Sequence, residues 1–112
     1  MINPKNLSIM FVEDDEFTRQ TVKGALDNKG WSIAFDTASV SDAIAWAKRN
    51  RPDVAVLDYN LGHGPNGIDL ANSLHSFLPK IGIVLLTAFL DPEQIKERLS
   101  QLPEGSRYLI KH

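Results

Sequence analysis

The sequence contains no cysteine, which excludes disulfide bonds and thiolate metal sites. It lacks an apolar run near the roughly 20 residues that a membrane helix needs. Its formal net charge of −2 leaves no excess of basic residues for a nucleic-acid surface. Residues 1–6 lack the charged start and apolar segment of a secretory signal, so we expect a cytoplasmic location. Hydrophobic residues make up 43% of the 112 residues, which is typical of one globular domain.

Short apolar runs alternate along the chain with longer stretches of helical period, a pattern typical of an α/β fold with a parallel sheet. The runs at 7–12, 54–57, 81–86 and 107–110 predict four strands, and the alternation from Trp31 to Phe35 predicts an edge strand. Asp15, Ser41 and Asp91 are the predicted helix caps. The residues predicted to face inward on the first and third helices are Thr18, Val22, Ala25, Leu26, Leu70, Ala71, Leu74 and Leu78.

Polar residues follow directly on four of the predicted strands. They are the acidic triplet Glu13-Asp14-Asp15, then Asp58, Thr87 and Lys111. Because ligands of an open parallel sheet bind at the carboxyl ends of its strands, we expect these groups to form one site. Carboxylates, a hydroxyl and an ammonium together indicate magnesium-assisted phosphoryl transfer.

The chemistry of this predicted site centres on Asp58. A carboxylate can attack a phosphoryl group and form an aspartyl phosphate. That attack brings negative charge onto negative charge, which Mg²⁺ usually neutralises through one or two carboxylates, phosphate and water. Glu13 and Asp14 are the predicted carboxylate ligands, whereas Asp15 is interpreted as a helix cap.

The remaining predicted site residues end the fourth and fifth strands. The Thr87 hydroxyl can donate to a phosphoryl oxygen, and the small Ala88 leaves room for the phosphate. The Lys111 ammonium can act as a point charge for phosphate or carboxylate. Tyr108, three residues before Lys111, is by itself a packing residue of an edge strand.

From Leu7 to Lys111, the sequence resembles the response-regulator receiver domain of two-component signalling. The resemblance is carried, in order and spacing, by Phe11-Val12-Glu13-Asp14-Asp15, Val56-Leu57-Asp58-Tyr59-Asn60-Leu61, Leu85-Leu86-Thr87-Ala88 and Tyr108-Leu109-Ile110-Lys111. It implies a doubly wound five-stranded parallel sheet of flavodoxin-like order 2-1-3-4-5.

The resemblance also implies roles for these residues. Asp58 would be the phosphoacceptor, and the backbone carbonyl of Asn60 would join the carboxylates of Glu13, Asp14 and Asp58 around Mg²⁺. Thr87, Ala88 and Lys111 would bind the phosphoryl group. Tyr108 would be the switch aromatic that changes rotamer with Thr87. The phosphodonor would be a sensor histidine kinase or a phosphotransfer protein.

Two departures from the family pattern concern the loop after Asp58 and the end of the chain. Many members have glycine eight residues after the phosphoacceptor, whereas Gly67 lies nine residues after it, so the loop is one residue longer. The family has a fifth helix after the last strand, and this chain stops first. We therefore expect residues 1–112 to be a receiver domain truncated before that helix. The natural protein would be longer, and the apolar sheet face of the last two strands would be open, which makes a homodimer possible.

Three alternative functions compete with that of a signalling switch. A flavodoxin-type cofactor binder needs a glycine- or hydroxyl-rich loop after the first strand, where the acidic triplet would repel phosphate without a metal. A haloacid-dehalogenase-like phosphatase needs a second aspartate two residues after the nucleophile, and Asn60 cannot transfer that proton. The third is an unphosphorylated receiver-like scaffold or interaction module. The switch itself would support only its own phosphorylation and dephosphorylation, and it would contact neither nucleic acid nor membrane directly.

Overall fold

The computed structural model describes residues 7–61, 66–87 and 92–110. Within these ranges, five parallel strands alternate with four helices, and the strand order 2-1-3-4-5 confirms the predicted fold. The strands are β1 (Ile9–Val12), β2 (Ile33–Thr37), β3 (Val54–Asp58), β4 (Gly82–Thr87) and β5 (Arg107–Ile110). The helices are α1 (Glu16–Asn28), α2 (Val40–Asn50), α3 (Gly67–Phe77) and α4 (Pro92–Leu99). In the ranges covered, no helix is long and apolar enough to cross a membrane.

Helices α1 and α2 begin at side chains that cap their free N–H groups. Asp15 caps α1 as predicted, accepting a hydrogen bond from the Thr18 N–H at 2.8 Å. The cap of α2 is Ser39 and not the predicted Ser41, because the extended backbone conformation lies at Ser39 and its hydroxyl accepts from the Asp42 N–H at 3.1 Å. The predicted cap of α4, Asp91, lies outside the described residues.

The sheet face covered by α2 and α3 holds the main core. Its strand residues alternate along each strand, which is the period-two pattern of a sheet. The predicted inward residues of α3 are all buried there. The core comprises Met10, Val12, Ala43, Ala47, Ala55, Leu57, Leu61, Ile68, Leu70, Ala71, Leu74, Leu78, Ile83 and Leu85.

The opposite sheet face is covered less completely. Thr18, Val22 and Leu26 of α1 are half-buried against it, but Ala25 is exposed. The prediction for Ala25 is therefore wrong, since the contact stripe of α1 follows only every fourth residue. Between α1 and β5 runs an apolar groove of about 380 Å³, where Leu109 is 59% exposed. Val84 and Leu86 of β4 also line this groove.

Candidate functional site

Three acidic side chains meet at the carboxyl edge of the sheet. Glu13 follows β1 and Asp58 ends β3, and β1 and β3 are paired neighbours. One ligand oxygen from each of Glu13, Asp14 and Asp58 lies within 4.8 Å of the others. Glu13 is 0% exposed and Asp58 4% exposed, whereas Asp14 is open to solvent. The cluster therefore has a buried floor and one side that a solute can reach.

The backbone of Glu13 is held on both sides. Its N–H donates to the Thr37 carbonyl of β2 at 3.0 Å, and its carbonyl accepts from the Arg19 guanidinium at 2.8 Å. Arg19 also donates through Nε to Asp36 of β2 at 3.1 Å. Sequence reasoning missed Arg19; the available signal was a cation one turn after the acidic triplet, on a helix capped by Asp15.

The junction between β3 and α3 depends on Gly67. A Cβ at this position would lie 2.3 Å from the Asp58 carbonyl oxygen and 2.9 Å from Cδ1 of Leu85. The Gly67 N–H donates to the Tyr59 carbonyl at 2.8 Å, while the Tyr59 N–H donates to the Leu86 carbonyl at 2.7 Å. The loop is one residue longer than the common family pattern, yet a glycine still starts α3 directly against Asp58.

Of the other predicted site residues, the structure describes some, and the rest lie outside the described ranges. Thr87 is the last residue of β4 and follows Leu86, which is in register with Asp58. The side chain of Thr87 is fully buried. Asn60 is exposed just beyond β3. Tyr108 of β5 is in register with Leu85 and is about half exposed, at 47%. Ala88 and Lys111, and His63 in the loop after Asp58, lie outside the described residues.

A contact that sequence reasoning did not anticipate ties α4 to the residue next to Asp58. The guanidinium of Arg98 donates a hydrogen bond to the Tyr59 hydroxyl, and its Cζ lies 5.7 Å from the centroid of the same ring. Asn72 of α3 donates to the Gln101 carbonyl just after α4 at 2.9 Å. Polar contacts therefore hold α4 and the residues just after it against Tyr59 and α3.

The acidic cluster has the chemistry of a hard-cation site. When ionised, the buried carboxylates of Glu13 and Asp58 repel each other by roughly 3–4 kcal/mol at about 5 Å and an effective dielectric constant near 20. A divalent cation relieves that repulsion. Carboxylate oxygens, supplemented by carbonyl oxygen, phosphate and water, are the ligands that Mg²⁺ prefers. The donor set of Glu13, Asp14 and Asp58 therefore fits Mg²⁺.

The sequence matches the response regulator receiver domain family over residues 9–111. The probable transcriptional regulatory protein TcrX of Mycobacterium tuberculosis is 34% identical over 99 residues, which are 88% of this chain and 40% of the relative. The DNA-binding transcriptional activator DevR/DosR of the same organism is 32% identical over 109 residues, 94% of this chain and 48% of the relative. The chain thus spans less than half the length of these two relatives.

Solved structures share the fold. Chemotaxis protein CheY4 of Vibrio cholerae superposes with a TM-score of 0.77 at 24% identity, covering 94% of this chain and 86% of that one. The receiver domain of Francisella response regulator 1452 gives a TM-score of 0.78 at 23% identity, covering 95% and 84%. Both likenesses concern the architecture of the sheet and its helices.

Proposed function

This chain belongs to the response regulator receiver domain family, whose general role is phosphoacceptor signalling, and we propose that its phosphoacceptor is Asp58. The observation that carries the proposal is the approach of the Glu13, Asp14 and Asp58 carboxylates to within 4.8 Å at the carboxyl edge of the sheet. A buried nucleophile beside two further carboxylates matches the needs of a charged reaction that a divalent cation assists.

The proposed donor is a phosphohistidine on a sensor histidine kinase or a phosphotransfer protein. A carboxylate oxygen of Asp58 attacks the phosphorus, and the new O–P bond forms as the P–N bond breaks. The electron pair of the P–N bond stays on the imidazole nitrogen, which is then protonated from solvent. The product is an acyl phosphate, and its hydrolysis returns the carboxylate and inorganic phosphate. The domain is thus a signalling switch that turns over only its own phosphoryl group.

The proposed Mg²⁺ ligands are the side chains of Glu13, Asp14 and Asp58 and the backbone carbonyl of Asn60. When bound, the cation would neutralise charge on the carboxylates and on the phosphoryl oxygens. Of the proposed phosphoryl-binding residues, Thr87 would donate its hydroxyl to a phosphoryl oxygen. Ala88 would leave space beside it, and Lys111 would supply a positive charge.

The proposed output is a shift in population at the face formed by α4 and β5. Thr87 would move toward the phosphoryl group, and Tyr108 would follow it. Changing a switch from 1:99 to 99:1 needs about 5.5 kcal/mol of differential interaction. A phosphoryl group carries nearly two negative charges and three strong acceptors, which is enough to make several charge-assisted hydrogen bonds. The downstream target would be read from this face, in a homodimer or by another protein.

Phosphorylation of matched aspartate variants tests the acceptor. With a small phosphodonor and Mg²⁺, the wild-type chain should gain one phosphoryl mass, and Asp58→Asn should gain none. Asp53→Asn is the control, because Asp53 lies just before the other end of β3, where it accepts a hydrogen bond from the Ser8 N–H at 2.8 Å. Labelling that persists in Asp58→Asn, or disappears in Asp53→Asn, contradicts the assignment.

A further inference from the structure

We infer that Arg19 is a positioning residue for the acidic cluster, which sets the affinity of the site for a divalent cation by fixing the peptide between Glu13 and Asp14. This inference rests on the proposed function of that cluster. It concerns a residue that lies outside the cluster and touches it only through the backbone.

Arg19 bridges two elements that meet at the carboxyl edge of the sheet. From the second turn of α1, its NH1 reaches the Glu13 carbonyl at 2.8 Å and its Nε reaches Asp36 of β2 at 3.1 Å. The side chains of Arg19 and Asp36 are only 15% and 19% exposed. A planar guanidinium with donors in a fixed fork suits such a two-point contact, which a lysine ammonium cannot reproduce.

The carbonyl that accepts from Arg19 belongs to the peptide linking Glu13 to Asp14. The N–H of Glu13 is fixed separately, by the Thr37 carbonyl of β2 at 3.0 Å. With both sides of Glu13 held, the orientation of the following peptide sets the direction in which the Asp14 side chain leaves the backbone. Asp14 is the solvent-exposed member of the cluster, so its backbone direction decides how well it completes the ligand set.

The positive charge of Arg19 has an effect of the opposite sign. A cation near the carboxylates competes electrostatically with a bound metal, so loss of that charge by itself would tighten metal binding. Loss of positioning would weaken metal binding, as the removal of outer-shell partners of metal ligands usually does. The direction of change in an Arg19 variant therefore separates the two roles.

Lys23 provides a matched control on the same helix. Its ammonium donates to the other carboxylate oxygen of Asp36 at 2.9 Å, and within the described ranges it makes no hydrogen bond to Glu13. Lys23→Gln removes the same charge from the same ion-pair group but leaves the bridge from Arg19 to the Glu13 carbonyl. Conversely, Arg19→Gln leaves Asp36 paired with Lys23, which should preserve the fold.

Titration with MgCl₂, followed by calorimetry and by the amide shifts of Asp14 and Asp15, tests the inference. Arg19→Gln should raise the Kd for Mg²⁺ about tenfold, the lower end for outer-shell substitutions. Arg19→Lys should fall between wild type and Arg19→Gln, and Lys23→Gln should change the Kd less than about twofold, as expected for a more distant charge. A saturating concentration of Mg²⁺ should restore the rate at which a small donor phosphorylates Arg19→Gln to the wild-type rate.

The outcomes separate the inference from the function on which it rests. If wild type binds Mg²⁺ and Arg19→Gln binds it equally well or more tightly, Arg19 does not position the cluster. The same conclusion follows if Lys23→Gln weakens binding as much as Arg19→Gln does. If wild type itself shows no Mg²⁺ binding, the proposed metal site fails and the positioning role fails with it.

Discussion

Replacing Gly67 by alanine should destabilise the domain, although alanine is the better helix former. Gly67 is the first residue of α3 and lies against the end of β3. Its added Cβ would lie 2.3 Å from the Asp58 carbonyl oxygen, about 1 Å closer than an ordinary contact, and 2.9 Å from the Leu85 side chain. The closest neighbour is backbone of a central strand and cannot rotate away, so the start of α3 must move.

The expected loss has two parts. Overpacking against a rigid neighbour typically costs about 1–3 kcal/mol. Displacing α3 also stretches the hydrogen bond from the Gly67 N–H to the Tyr59 carbonyl, worth about 1 kcal/mol. The gain from alanine over glycine is at most about 1 kcal/mol in a helix interior and smaller at a first helical residue. With a gain of about 0.5 kcal/mol subtracted, the net loss of about 1.5–3.5 kcal/mol should lower the Tm by roughly 6–14 °C in a domain of this size.

Gly24→Ala is the matched control for this substitution. Gly24 is an exposed residue inside α1, and a Cβ there meets nothing within 4 Å. The Gly24→Ala substitution should stabilise the domain by about 0.5–1 kcal/mol through helix propensity alone. Thermal melts and urea titrations on both variants measure the difference. If Gly67→Ala melts at the wild-type temperature, or if both variants shift in the same direction, the steric reasoning is refuted.

Three further predictions concern the site, the polar contacts of α4 and the open groove. Asp14→Ala should lose most of the Mg²⁺-induced rise in Tm, because binding of a ligand to the native state alone stabilises it by mass action; an unchanged rise would place the metal elsewhere. Tyr59→Phe keeps the ring but removes the hydroxyl that accepts from Arg98, so amide exchange in residues 93–99 should quicken while the Tm changes little; unchanged exchange would mean that this hydrogen bond does not hold α4. The chain should self-associate through the groove beside Leu109, or be less stable than a version extended by a helix. Sedimentation and melts on both lengths check this, and a monomeric short form as stable as the longer one would contradict it.

The positions of the strands and the meeting of the carboxylates could be predicted because each depends on short-range sequence signals. The strand order 2-1-3-4-5 followed from the resemblance to the receiver domain. An apolar run that ends in a carboxylate marks both a buried strand and the edge where it stops. The parallel arrangement then brings Glu13, Asp14 and Asp58 together whatever the helices do in detail. Asp15 could be predicted to cap α1, and not to belong to the carboxylate cluster, because an aspartate directly before a helical pattern is a recognised helix start.

The features that sequence reasoning missed depend on contacts between elements distant in the chain. The bridge from Arg19 to Asp36 joins residues 17 positions apart, and that from Arg98 to Tyr59 joins residues 39 positions apart. The position of Arg19 one turn after the acidic triplet is a local signal, but no local pattern shows which distant group either arginine contacts. The prediction of Ser41 as the cap of α2 was wrong for a different reason: both serines can cap, and the turn geometry of the chain leaving β2 selects Ser39.

In the central strands β3 and β4, some apolar side chains are less buried than their apolar character predicts. Val54 and Val56 of β3 and Val84 of β4 are apolar, as expected of strands covered on both sides, yet each is only half-buried. Their partners in the same strands, Ala55, Leu57 and Leu85, are fully covered by α2 and α3. The difference arises because the half-buried residues line the groove that α1 covers only along one side. A sheet face with this composition is suited to contact with another apolar surface, and its exposure in the 112-residue chain supplies the driving force for the self-association predicted above.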